Sequence, residues 1–480
     1  MAAGTLQRVR EPVIGLEIHL AVASDSKMFC GCSARGFGSQ PNRHVCPVCM
    51  GLPGALPVAN RQAMELGLRF ALALGCDVPD WTQFHRKHYF YPDAPKNYQI
   101  SQYDRPIGEH GQVDIPGGRT IGITRVHLEE DAGRLQHPTY ADHSLVDLNR
   151  AGAPLIEMVT EPEIASPQEA RLFLSEVRAL ARALRVSDAS PEEGKMRADV
   201  NVSLRRPDGS FGDKVEVKNL NSFKSVEAAL KFEIERQTRQ LDDGFEVVQE
   251  TRGWNEGGQK TVSQRGKEDA ADYRYLPDPD LPRVTIERDW LDAIRRASPE
   301  TPKQLRTRLT GAGVKPADAQ VLAADRDLTA VFEATLAAGE LKPEQVALWC
   351  VNHVAALAAD EAAGVTLETA DAPGLARLLG RLNDGTLSNS SAKGLLADAL
   401  QGEDIDALIE DRGLARLADT GAIDKLIAGV VEAEPALVAA ALENPKAVNA
   451  LVGKTMQASG GSADPGVVRE RVAAYLASQG

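Results

Sequence analysis

Long apolar runs are missing from this chain. No stretch of its 480 residues approaches the roughly 18 consecutive apolar residues that a membrane-spanning helix needs, so no membrane association is expected. The opening residues, Met1 to Val13, carry no apolar core of the kind a secretory leader has, and a cytoplasmic location is the expectation. Basic charge is also short. The 54 Lys and Arg stand against 68 Asp and Glu, a net charge of −14. That excludes nucleic-acid binding driven by global charge, but leaves room for a local basic groove. No Gly-rich turn follows a first strand and opens a helix, so a dinucleotide-binding doubly wound fold is excluded. Gly453-Lys454-Thr455 has the look of a phosphate-loop ending, but the motif requires glycine at 448 and the chain has Val448 there.

Cysteine is scarce too, with six in the chain, yet four of them fall in one window: Cys30-Gly31-Cys32, thirteen residues, then Cys46-Pro47-Val48-Cys49. Four thiols on two tight loops supply the ligand number and type that tetrahedral Zn²⁺ takes. Gly31, Gly36, Gly38, Pro41 and Pro47 bend the chain between them. Disulfides and free thiols are the alternatives. Disulfides are the weaker reading, because large cytosolic proteins keep their thiols reduced. Structural zinc sites use four protein ligands and leave no open position, so these cysteines announce a stapled fold rather than a reactive centre.

Composition divides the chain. Up to about residue 290, alternating strand patterns recur: Val13 to Leu20, Ile121 to Leu128, Val200 to Leu204 and Lys214 to Lys218. Helical patterns cover Asn60 to Leu74, Ser166 to Leu184 and Ser222 to Leu241, the second with an N-cap Ser166, first-turn Pro167 and capping-box Glu169. The expectation is an α+β domain over 1–290 with a largely antiparallel sheet. Beyond it, Ala and Leu dominate and strand patterns vanish. Two all-α domains are expected, over 291–405 and 406–480.

The acids on the strands carry the chemical signal. Glu17 and His19 are two residues apart, so they share one face of the first strand. Glu129-Glu130-Asp131 closes another strand, where three adjacent acids repel unless a cation or solvent screens them. Glu157 is a lone carboxylate in the apolar run Pro154 to Val159, which is costly without a partner. Acids plus a histidine on half-buried strands describe a hard-cation site suited to Mg²⁺ with bound phosphate. That points to phosphoryl transfer from ATP. The bland alternative is a set of surface acids. Arg86 to Asp93 mixes cations with aromatics and could hold phosphates or stack a base; it could equally be a packed strand. Arg197, Asp199 and Asn201 share a face by period two, as do Glu216 and Lys218.

Seven motifs, in order, carry a resemblance: Val13-Ile14-Gly15-Leu16-Glu17-Ile18-His19, Tyr89-Phe90-Tyr91-Pro92-Asp93, Tyr98-Gln99-Ile100-Ser101-Gln102, His127-Leu128-Glu129-Glu130-Asp131-Ala132-Gly133, Leu148-Asn149-Arg150-Ala151-Gly152, Glu216-Val217-Lys218-Asn219-Leu220-Asn221-Ser222-Phe223 and Asp272-Tyr273-Arg274-Tyr275-Leu276-Pro277. The chain closely resembles the B subunits of the bacterial aspartyl/glutamyl-tRNA amidotransferase family. The match is dense up to about residue 290 and looser after it. The resemblance implies a glutamine-synthetase-like cradle, a helical domain and a YqeY-like tail that contacts tRNA. It implies ATP- and Mg²⁺-dependent phosphorylation of the side-chain carboxylate of misacylated Glu-tRNA(Gln) or Asp-tRNA(Asn), followed by displacement with ammonia. The ammonia would come from a partner amidase, the A subunit, and a small third protein, the C subunit, would complete a heterotrimer. By position, the family's Mg²⁺ ligands fall on Glu17, His19, Glu130 and Glu157, with Lys87, Asp199 and Lys218 lining the same cradle for ATP or substrate. Some family members have lost the four cysteines, which fits a structural role for zinc on Cys30, Cys32, Cys46 and Cys49. The chain has no Ser-Lys amidase signature and is not expected to hydrolyse glutamine by itself. The rival reading is a non-catalytic, zinc-containing tRNA-binding scaffold.

Overall fold

The computed structural model describes residues 10–36, 38–138, 140–266, 273–415, 420–443, 447–459, 463 and 465–479. The opening residues 1–9 and Asp272 of the last motif lie outside the described residues. Two compact units are present, Met1–Pro302 and Lys303–Gly480.

The first unit is α+β. Its strands and helices run β1 (Pro12–Ala21), α1 (Arg61–Ala73), β2 (Trp81–Thr82), β3 (His85–His88), β4 (Tyr98–Ser101), β5 (Gly108–Ile115), β6 (Arg119–Glu130), β7 (Arg134–Gln136), β8 (Leu145–Asp147), β9 (Pro154–Thr160), α2 (Pro167–Ala183), β10 (Met196–Leu204), β11 (Val215–Lys218), α3 (Phe223–Asp242), β12 (Glu250–Asn255), β13 (Lys260–Gly266), β14 (Leu276–Pro277), β15 (Val284–Thr285) and α4 (Arg288–Ala297). Eight strands form one sheet in the order β13-β12-β11-β10-β1-β9-β6-β5. Among the described residues only β11 and β12 pair in parallel, so the sheet is mixed and mainly antiparallel.

Period-two alternation decides which face each side chain takes. Ile14, Leu16, Ile18 and Leu20 of β1, Ile156 and Met158 of β9, Val126 and Leu128 of β6, and Val200 and Val202 of β10 all enter the main core. Residues from α1, α2 and α3 join them there: Leu68, Phe70, Phe173, Val177, Val226 and Leu230. Each helix starts on a side-chain cap. Asn60 accepts from the Ala63 N–H, Ser166 from Glu169 N–H and Ser222 from Ser225 N–H. Glu169 reaches back to the Ala165 N–H, one residue before the cap. The other face of β6, β9, β1 and β10 keeps its polar residues, and they form the site. Helix α4 belongs to this unit, because Ile294 enters its core and the Trp290 indole N–H donates to Glu65 at 3.1 Å. The apolar pattern of the first unit thus continues past residue 290.

The second unit is all helical among its described residues. It holds two separate apolar clusters, one from Leu305 to Ile409 and one from Ile423 to Leu476. Six of its helices start on Asp325, Asp371, Ser388 and Asp404 caps or on first-turn prolines at 316 and 343. Lys454 sits in the helix Val448–Ala458 and pairs with Glu434 at 2.8 Å. It is an ordinary surface lysine.

Candidate active site and metal centre

Three neighbouring strands bring the site together. In the sheet register His19 of β1 lies opposite Glu157 of β9, and Glu157 lies opposite His127 of β6. Two residues further along β6, Glu129 shares the His127 face. The imidazole Nε2 of His19 lies 3.5 Å from Glu157, 3.6 Å from Glu129 and 3.7 Å from Glu17. On the far side, His127 Nε2 lies 3.1 Å from Glu157 and 3.8 Å from Glu129. Two overlapping groups result, Glu17 with His19 and Glu157, and His127 with Glu129 and Glu157. Within each, the ligand atoms lie within 4.8 Å of one another. Glu129, Glu157 and His127 are buried, whereas Glu17 and His19 are partly open.

The groups set one another's charge. Burial disfavours the imidazolium of His127, but the charges and hydrogen bonds of Glu157 and Glu129 outweigh it and raise the pKa to about 9. His19 is raised for the same reason, against its own burial. Glu157 is held well below the usual carboxylate range, because His127 and His19 outweigh the cost of burying it. Glu129 is also lowered, its burial offset first by the His127 hydrogen bond. Glu17 goes the other way. Burial and the Glu157 charge push it up. Glu157 is shared by both groups, so three acids gather around two histidines, and one of the acids is reluctant to ionise. The set fits a divalent ion: carboxylate oxygens dominate it, with one imidazole nitrogen at its centre. His127 stands behind this set. Its Nδ1 has no partner among the described residues, and its Nε2 engages the two buried carboxylates.

The structure places the sequence-derived residues unevenly. Glu17, His19 and Glu157 come together. Glu130 stands apart from them. Alternation turns it to the opposite side of β6, where Lys96 Nζ pairs with it at 2.5 Å and the Ile100 N–H donates to it at 2.8 Å. The acid that joins the group is Glu129, and with it comes His127. Both were legible in the alternation, since Val126 and Leu128 are apolar and the residues between and beyond them must share the polar face. The three adjacent acids avoid repulsion by separating. Glu129 meets the histidines, Glu130 meets Lys96, and Asp131 pairs with Arg197 at 3.0 Å and Arg150 at 3.2 Å.

Lys87 is close by on β3. Burial opposes its charge, but Glu129, Tyr275 and Glu157 outweigh this and raise its pKa. Its ammonium stands 5.0 Å above the Tyr273 ring. Tyr275 stacks on Tyr103 with centroids 4.5 Å apart, and Tyr103 is exposed. Asp199 lies opposite Glu17 in the register and accepts from Lys218 Nζ at 2.8 Å; Lys218 also meets Glu216 at 3.0 Å. So Lys87 is within electrostatic reach of the carboxylates, whereas Asp199 on β10 and Lys218 on β11 form a paired rim beside β1.

The four cysteines converge as well. Cys30, Cys32, Cys46 and Cys49 place their sulfurs within 4.8 Å of one another. The Cys46 and Cys49 sulfurs are 3.9 Å apart, close to the edge of a tetrahedron with Zn–S bonds of about 2.3 Å and nearly twice a disulfide bond. All six cysteines of the chain are free. The loops also grip the turn before β9. Met28 N–H donates to the Gly152 carbonyl at 2.8 Å, and His44 N–H to Asn149 Oδ1 at 2.9 Å. Gly152 has φ +86°, and a Cβ built there would come within 3.4 Å of Cys49 Cβ.

Residues 12–292 match the family described as the GatB/GatE catalytic domain, and residues 330–476 match the GatB domain. The chain is 50% identical over 474 residues to the B subunit of the aspartyl/glutamyl-tRNA(Asn/Gln) amidotransferase of Deinococcus radiodurans, covering 97% of this chain and 99% of that one. Its counterpart in Thermus thermophilus is 51% identical over 460 residues, 96% and 97% of the two chains. That of Brevibacillus brevis is 43% identical over 477 residues, 98% and 99%. With a catalytic-domain match over residues 12–292 and near full-length identity of this level, the chain belongs to the family of aspartyl/glutamyl-tRNA(Asn/Gln) amidotransferase B subunits.

Proposed function

We propose that this protein carries out the ATP-dependent amidation of misacylated Glu-tRNA(Gln), Asp-tRNA(Asn) or both. The observation that carries the reading is the set of three carboxylates and two histidines across β1, β9 and β6, with Glu129, Glu157 and His127 buried and Glu17 and His19 at its open side. Glu17, His19, Glu129 and Glu157 would hold Mg²⁺, which when bound neutralises charge on a transferring phosphoryl group. His127 keeps Glu129 and Glu157 ionised and aimed. Lys87 offers a cation to the phosphates, and Asp199 with Lys218 orients the rim. A carboxylate is a poor acyl donor because oxide is a poor leaving group. Phosphorylating the side-chain carboxylate of the aminoacyl group supplies a leaving group that ammonia displaces. The acyl phosphate must be kept from water, and the buried carboxylate wall helps to do so. The Tyr103–Tyr275 pair beside Lys87 suits stacking of a nucleobase.

The ammonia is supplied in this reading by a glutaminase partner, the A subunit, in a heterotrimer that a small C subunit completes, in the cytoplasm. No described helix is long and apolar enough to cross a membrane. Zn²⁺ on Cys30, Cys32, Cys46 and Cys49 is structural. The first unit acts as a glutamine-synthetase-like cradle. The helical unit comprises two domains, the second a tRNA-contacting tail. Ile405, Ile409 and Leu414 pack in the first helical cluster, which favours a division after Leu414 over one at 405. A non-catalytic scaffold would have no use for Glu157, a buried acid held ionised by two histidines. The deciding experiment is phosphoryl transfer from ATP that depends on misacylated tRNA, in the reconstituted complex. Glu157→Gln should lower it by roughly 10²-fold or more. Wild-type rates in that variant would leave the scaffold reading standing.

A further inference from the structure

Lys27 has no evident reason to be where it is. It lies between β1 and the first cysteine pair, is 0% exposed, and is among the largest fully buried side chains of the protein. A buried ammonium needs an anion, because desolvating a lone charge costs several kcal/mol or more. No carboxylate fills that role among the described residues. Glu130, a buried acid that also approaches Gly152, is held by Lys96 at 2.5 Å. The Lys27 Nζ partners are the Leu148 carbonyl at 3.3 Å and the Cys49 sulfur at 3.6 Å. The carbonyl is a neutral dipole. The sulfur is the one atom of the two that can carry a full negative charge.

Four neutral thiols would leave Lys27 uncompensated. Four thiolates around one divalent ion carry a net charge of −2, and a buried cation at N–H···S distance halves it. We propose that Lys27 is the built-in counter-ion of the metal–tetrathiolate cluster, donating to Cys49 and holding the cluster in its loaded form. This rests on the reading of the four cysteines as a metal site and adds a residue that no ligand count includes. The geometry gives Lys27 a second consequence. Its other acceptor, Leu148, and its neighbour Gly152, where a Cβ would meet Lys27 Cδ at 3.5 Å, belong to the turn that delivers β9 and Glu157. One side chain thus links the metal loops to the strand bearing the central carboxylate.

The test uses the full-length chain. Zinc content is measured by atomic emission, and zinc release is followed with a chromogenic chelator for wild type, Lys27→Met and Lys27→Arg. Wild type should hold one equivalent. Lys27→Met, which keeps the apolar stem but not the charge, should release zinc about 10-fold faster or more, and Lys27→Arg should stay near wild type, as outer-shell partners of zinc ligands behave. Unchanged release from Lys27→Met in a zinc-loaded protein overturns the counter-ion role and leaves the zinc site intact. A wild-type protein without zinc overturns both. Amine labelling of the wild-type chain, read by mass spectrometry, needs no variant. Lys27 should be protected with zinc present and labelled after chelation; equal labelling in the two states also overturns the proposal.

Discussion

At the scale of single residues, one side-chain parity separates two acids. Glu129 and Glu130 are neighbours in sequence, but β6 sends the first to the histidines and the second to Lys96. Mn²⁺ binding, followed by calorimetry or by loss of the free-ion magnetic resonance signal, should weaken about 10-fold or more in Glu129→Gln and barely change in Glu130→Gln. The reverse order would restore Glu130 as the ligand. The histidines set a pH dependence whose sign follows from the raised pKa of His127. A group raised in the folded state stabilises fully below its unfolded value, near 6.5, and that contribution is lost as pH rises through about 9. In chelator-treated protein the melting temperature of wild type should therefore exceed that of His127→Asn most at or below pH 6.5. The gap should narrow toward pH 9. A gap that widens with pH would show that His127 is neutral when buried.

At the scale of elements, the site depends on strand order. Glu17 and His19 were recognisable from local sequence, since a two-residue spacing on an alternating strand puts both on one face. That β9 lies between β1 and β6 is not local information. Glu157 is remote from His19 in the chain, and only the sheet register makes it the central carboxylate. The zinc loops show the same dependence. The closeness of Cys30 to His19 in sequence suggests that they brace β1. The hydrogen bonds show that they also hold the turn at Asn149 to Gly152 that leads into β9. Gly152→Ala places a Cβ on a left-handed residue in van der Waals contact with Cys49, and should destabilise the protein by about 1–3 kcal/mol through the strained φ. Amide exchange should quicken in both 30–49 and 148–153. Exchange confined to the turn would separate the two loops.

At the scale of the whole molecule, the two units differ in what holds them. The first has a mixed sheet with helices packed against its apolar face, and a polar face left over for chemistry. The second is built from capped helices around Leu, Val and Ala in two clusters. Truncation after Leu414 should leave the melting of the first unit unchanged and weaken binding of tRNA by the reconstituted complex by about tenfold or more, on the order of 1.4 kcal/mol. Unchanged affinity would remove the tail from the tRNA interface. The assembled complex, assayed with Asp-tRNA(Asn) against Glu-tRNA(Gln), reads out which aminoacyl group the site accepts.

Sequence by itself determined the α+β character of the first part, the helical character of the rest, the four-cysteine centre and three of the site residues, Glu17, His19 and Glu157. These rest on periodicity, capping residues and ligand spacing, all set within a few positions of one another. Tertiary structure alone decided which acids meet and which cations neutralise them. The three adjacent acids at 129–131 part company because neighbouring positions on a strand point to opposite faces, and because most of their partners, His19, Lys96, and Arg197 with Arg150, arrive from strands and loops elsewhere in the chain. The burial of Lys27 beside Cys49 belongs to the same category. In sequence it is one lysine between polar Ser26 and apolar Met28, and only folding removes its solvent and gives it a sulfur instead.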